Sequence, residues 1–241
     1  MNYRKTFEMK ISKILFGAAW TIIIAVSFNA CKKNTDKKSV CRIIAFTVAG
    51  QVYHISYNNQ GKIISLTGGS LSDSYDYFGD TTIVTSLDAG TFASKTTIAL
   101  NKAGLATNVR TENNGSGTDW TNDVFEYNGD ELAKQTSTRS ADTIKGITTY
   151  AWFNHNMISE TMGSNTTVLG YYTDKPRQDG DYLAFIQFIS GYEVYRTKNL
   201  LKTFGSATLT YDFGSDGNIS SLTITSPGGT PESLNYQYEC K

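Results

Sequence analysis

Histidine is nearly absent from this 241-residue chain, with only His54 and His155, and there are only three prolines and three cysteines. His54 lies in a stretch of alternating polarity and His155 between two asparagines, so neither has a nucleophile and an orienting acid beside it in sequence. No Gly-x-Ser-x-Gly elbow occurs, and no Cys-x-x-Cys or Cys/His cluster that would suit zinc. The expectation is therefore a chain with no catalytic residues, no metal and no cofactor. A charge excess is missing too: 22 Lys and Arg meet 22 Asp and Glu, which leaves nothing to drive binding to nucleic acid. No apolar run reaches the roughly 20 residues of a permanent transmembrane helix. A membrane-spanning barrel is not expected either. Residues 91–97 and 133–138 carry Thr or Ser on both faces, where a lipid-facing strand needs one apolar face.

What is present favours strands. Threonine reaches 31 residues and tyrosine 15, and aromatics make up 12% of the chain, enough for a folded core. Polarity alternates with period two almost everywhere. Tyr53, Ile55 and Tyr57 share one face of residues 51–57, and Tyr150 and Trp152 share one face of residues 147–153. Turn clusters separate the runs, at residues 58–61, 78–80, 101–104, 127–130, 154–156 and 215–218. Gly79, Gly104 and Gly129 are spaced 25 residues apart, and Asn154-His155-Asn156 follows one step later. One step equals two strands with their turns, a repeated hairpin. The expected fold is all-β. It is a single large curved antiparallel β-sheet or partial barrel of consecutive hairpins over residues 41–241, with an irregular covering segment.

The first thirty residues read as an export signal. Arg4, Lys5, Lys10 and Lys13 precede an uncharged run over residues 14–28, then Asn29-Ala30-Cys31. Ala30-Cys31 after the apolar run resembles a bacterial lipobox, whose cysteine is diacylated and becomes the mature N-terminus. Phe28 and Asn29 depart from the usual Leu and small residue. Lipidation at Cys31 would leave residues 31–40 as a polar tether. It would hold the protein to a membrane of the cell envelope, with the outer membrane expected and its face left open. Cys41 and Cys240 are then the remaining thiols, one at each end of the mature fold. In an oxidising compartment they are expected to form a disulfide, the alternative being two buried free thiols.

Residues 171–204 break the hairpin rhythm and concentrate aromatics. Tyr171, Tyr172, Tyr182, Phe185, Phe188 and Tyr192 either line a groove for a lipid, a peptide or a glycan ring, or plug the concave side of the sheet. The plug is the simpler expectation. Residues 182–190 are apolar almost all round, compatible with a strand or a short buried helix. Asp174, Asp179 and Asp181 lack EF-hand spacing and read as a solvated loop. Two roles stay open: a non-catalytic envelope protein that binds or scaffolds an unknown partner, or a hydrolase acting on an envelope or dietary polymer.

Tyr57-Asn58-Asn59-Gln60-Gly61-Lys62-Ile63 resembles a unit of the Tyr-Asp repeats of bacterial surface and toxin-shell proteins, and Phe213-Gly214-Ser215-Asp216-Gly217-Asn218-Ile219 is a looser copy. With the signal, Cys41, Tyr171-Tyr172-Thr173-Asp174-Lys175-Pro176, Asn199-Leu200-Leu201 and the terminal Tyr238-Glu239-Cys240, residues 31–241 resemble a family of Bacteroidetes lipoproteins of unknown function. The resemblance implies a porin-like β fold, read here as a soluble body on a tether, and brings no catalytic residues with it.

Overall fold

The computed structural model describes residues 41–142 and 145–240. The signal, the tether and the proposed lipid site Cys31 lie outside the described residues. The strands follow one another as β1 (Cys41–Val48), β2 (Gln51–Tyr57), β3 (Ile63–Gly68), β4 (Leu71–Phe78), β5 (Thr81–Asp88), β6 (Thr91–Leu100), β7 (Ala106–Glu112) and β8 (Trp120–Asn128). They continue as β9 (Glu131–Arg139), β10 (Gly146–Phe153), β11 (Asn156–Met162) and β12 (Asn165–Pro176). After the helix α1 (Tyr182–Ser190) come β13 (Asn199–Phe204), β14 (Ala207–Phe213), β15 (Ile219–Thr225) and β16 (Glu232–Cys240).

The all-β antiparallel class holds, but the sheet is not a partial barrel: it closes. β1 pairs antiparallel with β16 from Cys41↔Cys240 to Val48↔Leu234, and the sixteen strands form one ring. Twist makes a long meander curl, and an even number of strands brings the first and last together antiparallel. Closure also removes the two sheet edges that an open sheet would have offered to a partner. Cys41 and Cys240 form the expected disulfide, at a sequence separation of 199.

The 25-residue step maps onto one end of the barrel. The turns at Gly79, Gly104, Gly129 and Asn154-His155 lie at the end that also holds Cys41 and Cys240, here called the terminal end. At the opposite, distal end most hairpins are two-residue turns such as Ala49-Gly50 and Ala89-Gly90. Ala49 and Ala89 both have φ of 50°, a left-handed conformation matched to the strand twist but rare for alanine.

Strands joined at the distal end part from each other toward the terminal end. Pairing of β1 with β2 stops at Ala45↔His54, of β3 with β4 at Ser65↔Ser74, and of β7 with β8 at Asn108↔Val124. Beyond each parting an aromatic of the second strand donates to a carbonyl of the first. Tyr57 reaches Ile43, Tyr77 reaches Ile63 at 2.8 Å, and Tyr127 reaches Ala106 at 2.6 Å. Trp152 to Leu132 and Tyr171 to Met157, both 2.8 Å, continue the pattern. These aromatics supply the donors that the flared ladder no longer provides. The tyrosine ahead of a terminal-end turn thus has a structural role.

Helix α1 lies across the flare. Asp181 was expected in a solvated loop but is fully buried, because its carboxylate joins three elements. Oδ1 accepts from the amides of Leu183 (3.0 Å) and Ala184 (3.2 Å) and so caps the helix, while Oδ2 accepts from the β13 amide of Leu201 (2.8 Å) and the β14 hydroxyl of Tyr211 (3.4 Å). At the other end, on the opposite wall, Tyr75 of β4 donates to the carbonyl of Ile189 at 2.6 Å. The helix ends at Gly191 with φ of 81°, where a Cβ would meet Val84 at 2.9 Å, so only glycine fits. In between, Phe185 packs edge-on against Phe46 and Tyr236, the centre of the core.

A Cys41→Ser/Cys240→Ser chain should still close its ring but lose about 2–5 kcal/mol of stability, because the crosslink spans the whole barrel. Thermal unfolding with and without a reductant checks this: the wild type should shift down and the double variant should not respond.

Candidate functional site

The insertion of α1 leaves a groove of about 470 Å³ between the helix and the seam of β1, β2 and β16. Its apolar floor is Ile43, Tyr57, Ala184, Phe185 and Phe188. Its rim is charged. Arg42 donates to Glu239 at 2.7 Å, Arg177 to Glu193 at 2.7 Å, and Arg196 to the other Glu193 oxygen at 2.7 Å. Burial alone would raise the Glu193 carboxyl, but the two guanidiniums together bring it below the ordinary range. Asp179 lines the same groove, and there burial prevails and pushes its carboxyl up, with Arg177 opposing. A second hollow, about 300 Å³, lies on the other side of Phe188 and is bounded by Ile63, Tyr77, Gln187 and Tyr192. The segment that follows α1 is stitched to the wall. Glu193 O accepts from the amide of Ala106 at 2.8 Å, and Arg196 donates to Ala103 O at 3.1 Å.

The sequence-expected aromatics divide by position. Phe185 and Phe188 line the groove, and Phe188 and Tyr192 line the second hollow. Tyr171 bonds the Met157 carbonyl, and Tyr182 packs against Phe204. Tyr172 donates to the Leu209 carbonyl at 2.9 Å, with Lys175 and Lys202 against its ring. Covering the barrel end was the expected part of this segment's work, but the cover is incomplete and leaves the groove. The groove residues missed from sequence are Arg42, Tyr57, Asp179, Glu193 and Glu239, contributed by distant strands and the insert. Pairing Cys41 with Cys240 was the signal that could have placed Arg42 beside Glu239.

The two histidines are apart. His54 is exposed on the outer wall, and His155 sits in its turn with Nδ1 3.5 Å from Glu131. Cys41, Cys240 and Asp216 come close enough for a metal, but both sulfurs are used in the disulfide.

Toward the distal end the inward face turns polar. Asp123 accepts from Gln135 (3.0 Å) and from the Ser137 hydroxyl, and Gln135 accepts from Tyr150 at 2.7 Å. Burial raises the Asp123 carboxyl above its ordinary 3.8, while the bonds from Ser137 and Gln135 and the charge of Arg139 oppose it. A raised folded-state value means the folded protein gives up this proton later than the unfolded chain. Its contribution is therefore full below about pH 3.8 and declines as pH rises through the folded value. Both donors use Oδ1, so asparagine can keep them. Asp123→Asn should match or exceed wild-type stability at pH 7, and the difference should shrink toward pH 4, as read from denaturant melts across that range.

No family model and no curated relative matches this chain. Solved structures do. The crystal structure of a porin-like protein from Bacteroides uniformis ATCC 8492 superposes with a TM-score of 0.59 at 14% identity, covering 82% of this chain and 96% of that one. That of a porin-like protein from Bacteroides vulgatus ATCC 8482 gives 0.58 at 14% identity, covering 81% and 97%. At this identity the likeness is one of fold: the chain has a porin-like antiparallel barrel.

Proposed function

We propose that this protein is a lipid-anchored component of the cell envelope that binds, without catalysis, an apolar or amphipathic small molecule at its terminal end. The observation that carries this reading is the groove beside α1. Its volume suits a small ligand, its floor is aromatic and aliphatic, and its rim charges are held in ion pairs. A ligand with a flat or acyl portion would pack on Phe185 and Phe188, with its polar part among Arg42, Asp179 and Glu239. The porin-like fold of the neighbours agrees with an envelope setting, and the lipobox-like Ala30-Cys31 supplies the anchor. On β14 and β15 the outward faces, with Thr208, Thr210, Ser221 and Thr223, lack the apolar band of a membrane-spanning strand, which favours a body beside the bilayer; apolar exposure on the wall is concentrated on β10, β11 and β12, at Ile147, Ile158, Met162 and Val168.

A hydrolase acting on an envelope or dietary polymer remains the second reading, on one observation. Asp179 is raised and Glu193 lowered within the same groove, the separation that acid–base pairs use. Glu193 is nevertheless gripped by two arginines, which suits a strut better than a base.

A fluorescent long-chain fatty acid is a suitable probe of the groove. It should bind with micromolar affinity and lose about tenfold or more in Phe188→Ala, with an unchanged melt. Equal binding by both chains, or polymer cleavage abolished by Asp179→Asn, would reverse the assignment. For the anchor, Cys31→Ser should move the protein from the membrane to the soluble fraction and remove the mass of the acyl chains.

A further inference from the structure

The rim of the terminal end exposes phenylalanines where polar residues would be expected. Phe78 is 62% exposed, Phe153 66% and Phe213 38%. Each stands immediately before a terminal-end turn, at Gly79, Asn154 and Gly214; Phe78 and Phe153 lie on the outer side of β4 and β10, while Phe213, opposite the buried Ile219 and with the Lys175 ammonium 4.7 Å from its ring, lies on the inner lip of β14. They are therefore spread around the circumference and share one end, which makes a rim rather than a patch on the wall. The same end carries Cys41, the first residue after the tether. Nine residues, 32–40, separate it from the lipid site Cys31, a reach of at most about 35 Å when fully extended. Strands of six to twelve residues make the wall comparable in height to that reach, so presenting the distal end to the bilayer would use nearly all of the tether. Presenting the terminal end needs almost none of it.

We infer that the terminal rim is a membrane-contacting surface, on which Phe78, Phe153 and Phe213 enter the interfacial layer of the bilayer that holds the lipid anchor. The orientation rests on the anchoring proposed above; the rim itself does not. Aromatic side chains favour the headgroup boundary, and a shallow apolar contact adds to an acyl anchor. The lysines of this end, Lys62, Lys102, Lys175 and Lys198, stand among Asp80, Asp130, Asp174 and Asp216, so the barrel rim carries no excess of positive charge and the contact inferred for it is apolar. Contact at this end would also bring the mouth of the groove to the lipid surface, from which an amphipathic ligand could enter without crossing water.

The test uses the full chain, acylated and reconstituted in phosphatidylethanolamine/phosphatidylglycerol vesicles, followed by amide hydrogen exchange. The turns at 78–80, 153–155 and 213–218 should exchange about fivefold or more slowly on vesicles than in detergent-free solution of the Cys31→Ser chain, with the turns at 49–50, 69–70 and 89–90 unchanged. The Cys31→Ser chain should itself partition weakly onto the same vesicles. Combining Phe78→Ser, Phe153→Ser and Phe213→Ser should lower that partition about tenfold, and about 0.5 M salt should not. The three single variants serve if the triple one does not fold, each lowering partition by a smaller factor. Protection of the distal turns, protection confined to the wall of β10, β11 and β12, where Ile147, Ile158, Met162 and Val168 are exposed, with concentration-dependent dimers, or partition indifferent to the phenylalanines would overturn the inference. If mass analysis finds no lipid on Cys31 while the phenylalanine dependence holds, the anchoring reading fails and the rim stands.

Discussion

One buried carboxylate holds the barrel where its own hydrogen bonds are fewest. β13 and β14, joined by the distal hairpin at Gly205-Ser206, pair only at Thr203↔Thr208 and Phe204↔Ala207. Past that point Asp181 accepts from Leu201 on one side and Tyr211 on the other, and the same carboxylate starts the helix. Ring, helix and groove are thus fixed together: if α1 moved, the seam would lose its bridge and the groove its floor. A charge so deeply buried is tolerable because each oxygen has two donors.

The flare of the terminal end is the second element of the design. Neighbours joined at the distal end separate as they approach the other rim, and tyrosine or tryptophan side chains bridge the widening gaps. The flare makes room for the helix, which bears on strands nearly opposite each other through Asp181 and Tyr75. In this way a ring of sixteen strands, large enough in other barrels to leave a channel, acquires an apolar core across one end.

Local features of this fold were readable and distant ones were not. Period-two alternation and the 25-residue step reported the strands and the terminal turns correctly because both depend on neighbouring residues. Distal turns such as Ala89-Gly90 escaped, being only two residues long and partly made of alanine, which carries no turn signal. Closure depends on β1 meeting β16, a pairing that left only the two cysteines as its trace. Residues 182–190 could not be assigned to helix or strand because a helix lying inside a barrel is apolar on nearly every side. Asp181 looked solvated beside Asp179 and Gly180, its partners on β13 and β14 lying 20 and 30 residues away. The groove was half visible: its aromatic floor stood out, while the rim charges on β1 and β16 became neighbours only through closure.

A closed ring has no outermost strand to fray. For any strand to leave, two ladders must break, so disruption has to begin at a seam rather than at an edge. The seams are unequal: β5 and β6 are paired along their whole length, β13 and β14 at two positions. Opening would start at the latter, and the first event there is the release of the Asp181 carboxylate. The chain termini are the customary starting points of unravelling. Here they are zipped along β1 and β16 and covalently joined, so the kinetic weak point lies some forty residues inside the C-terminus, at the place where the insert rejoins the wall.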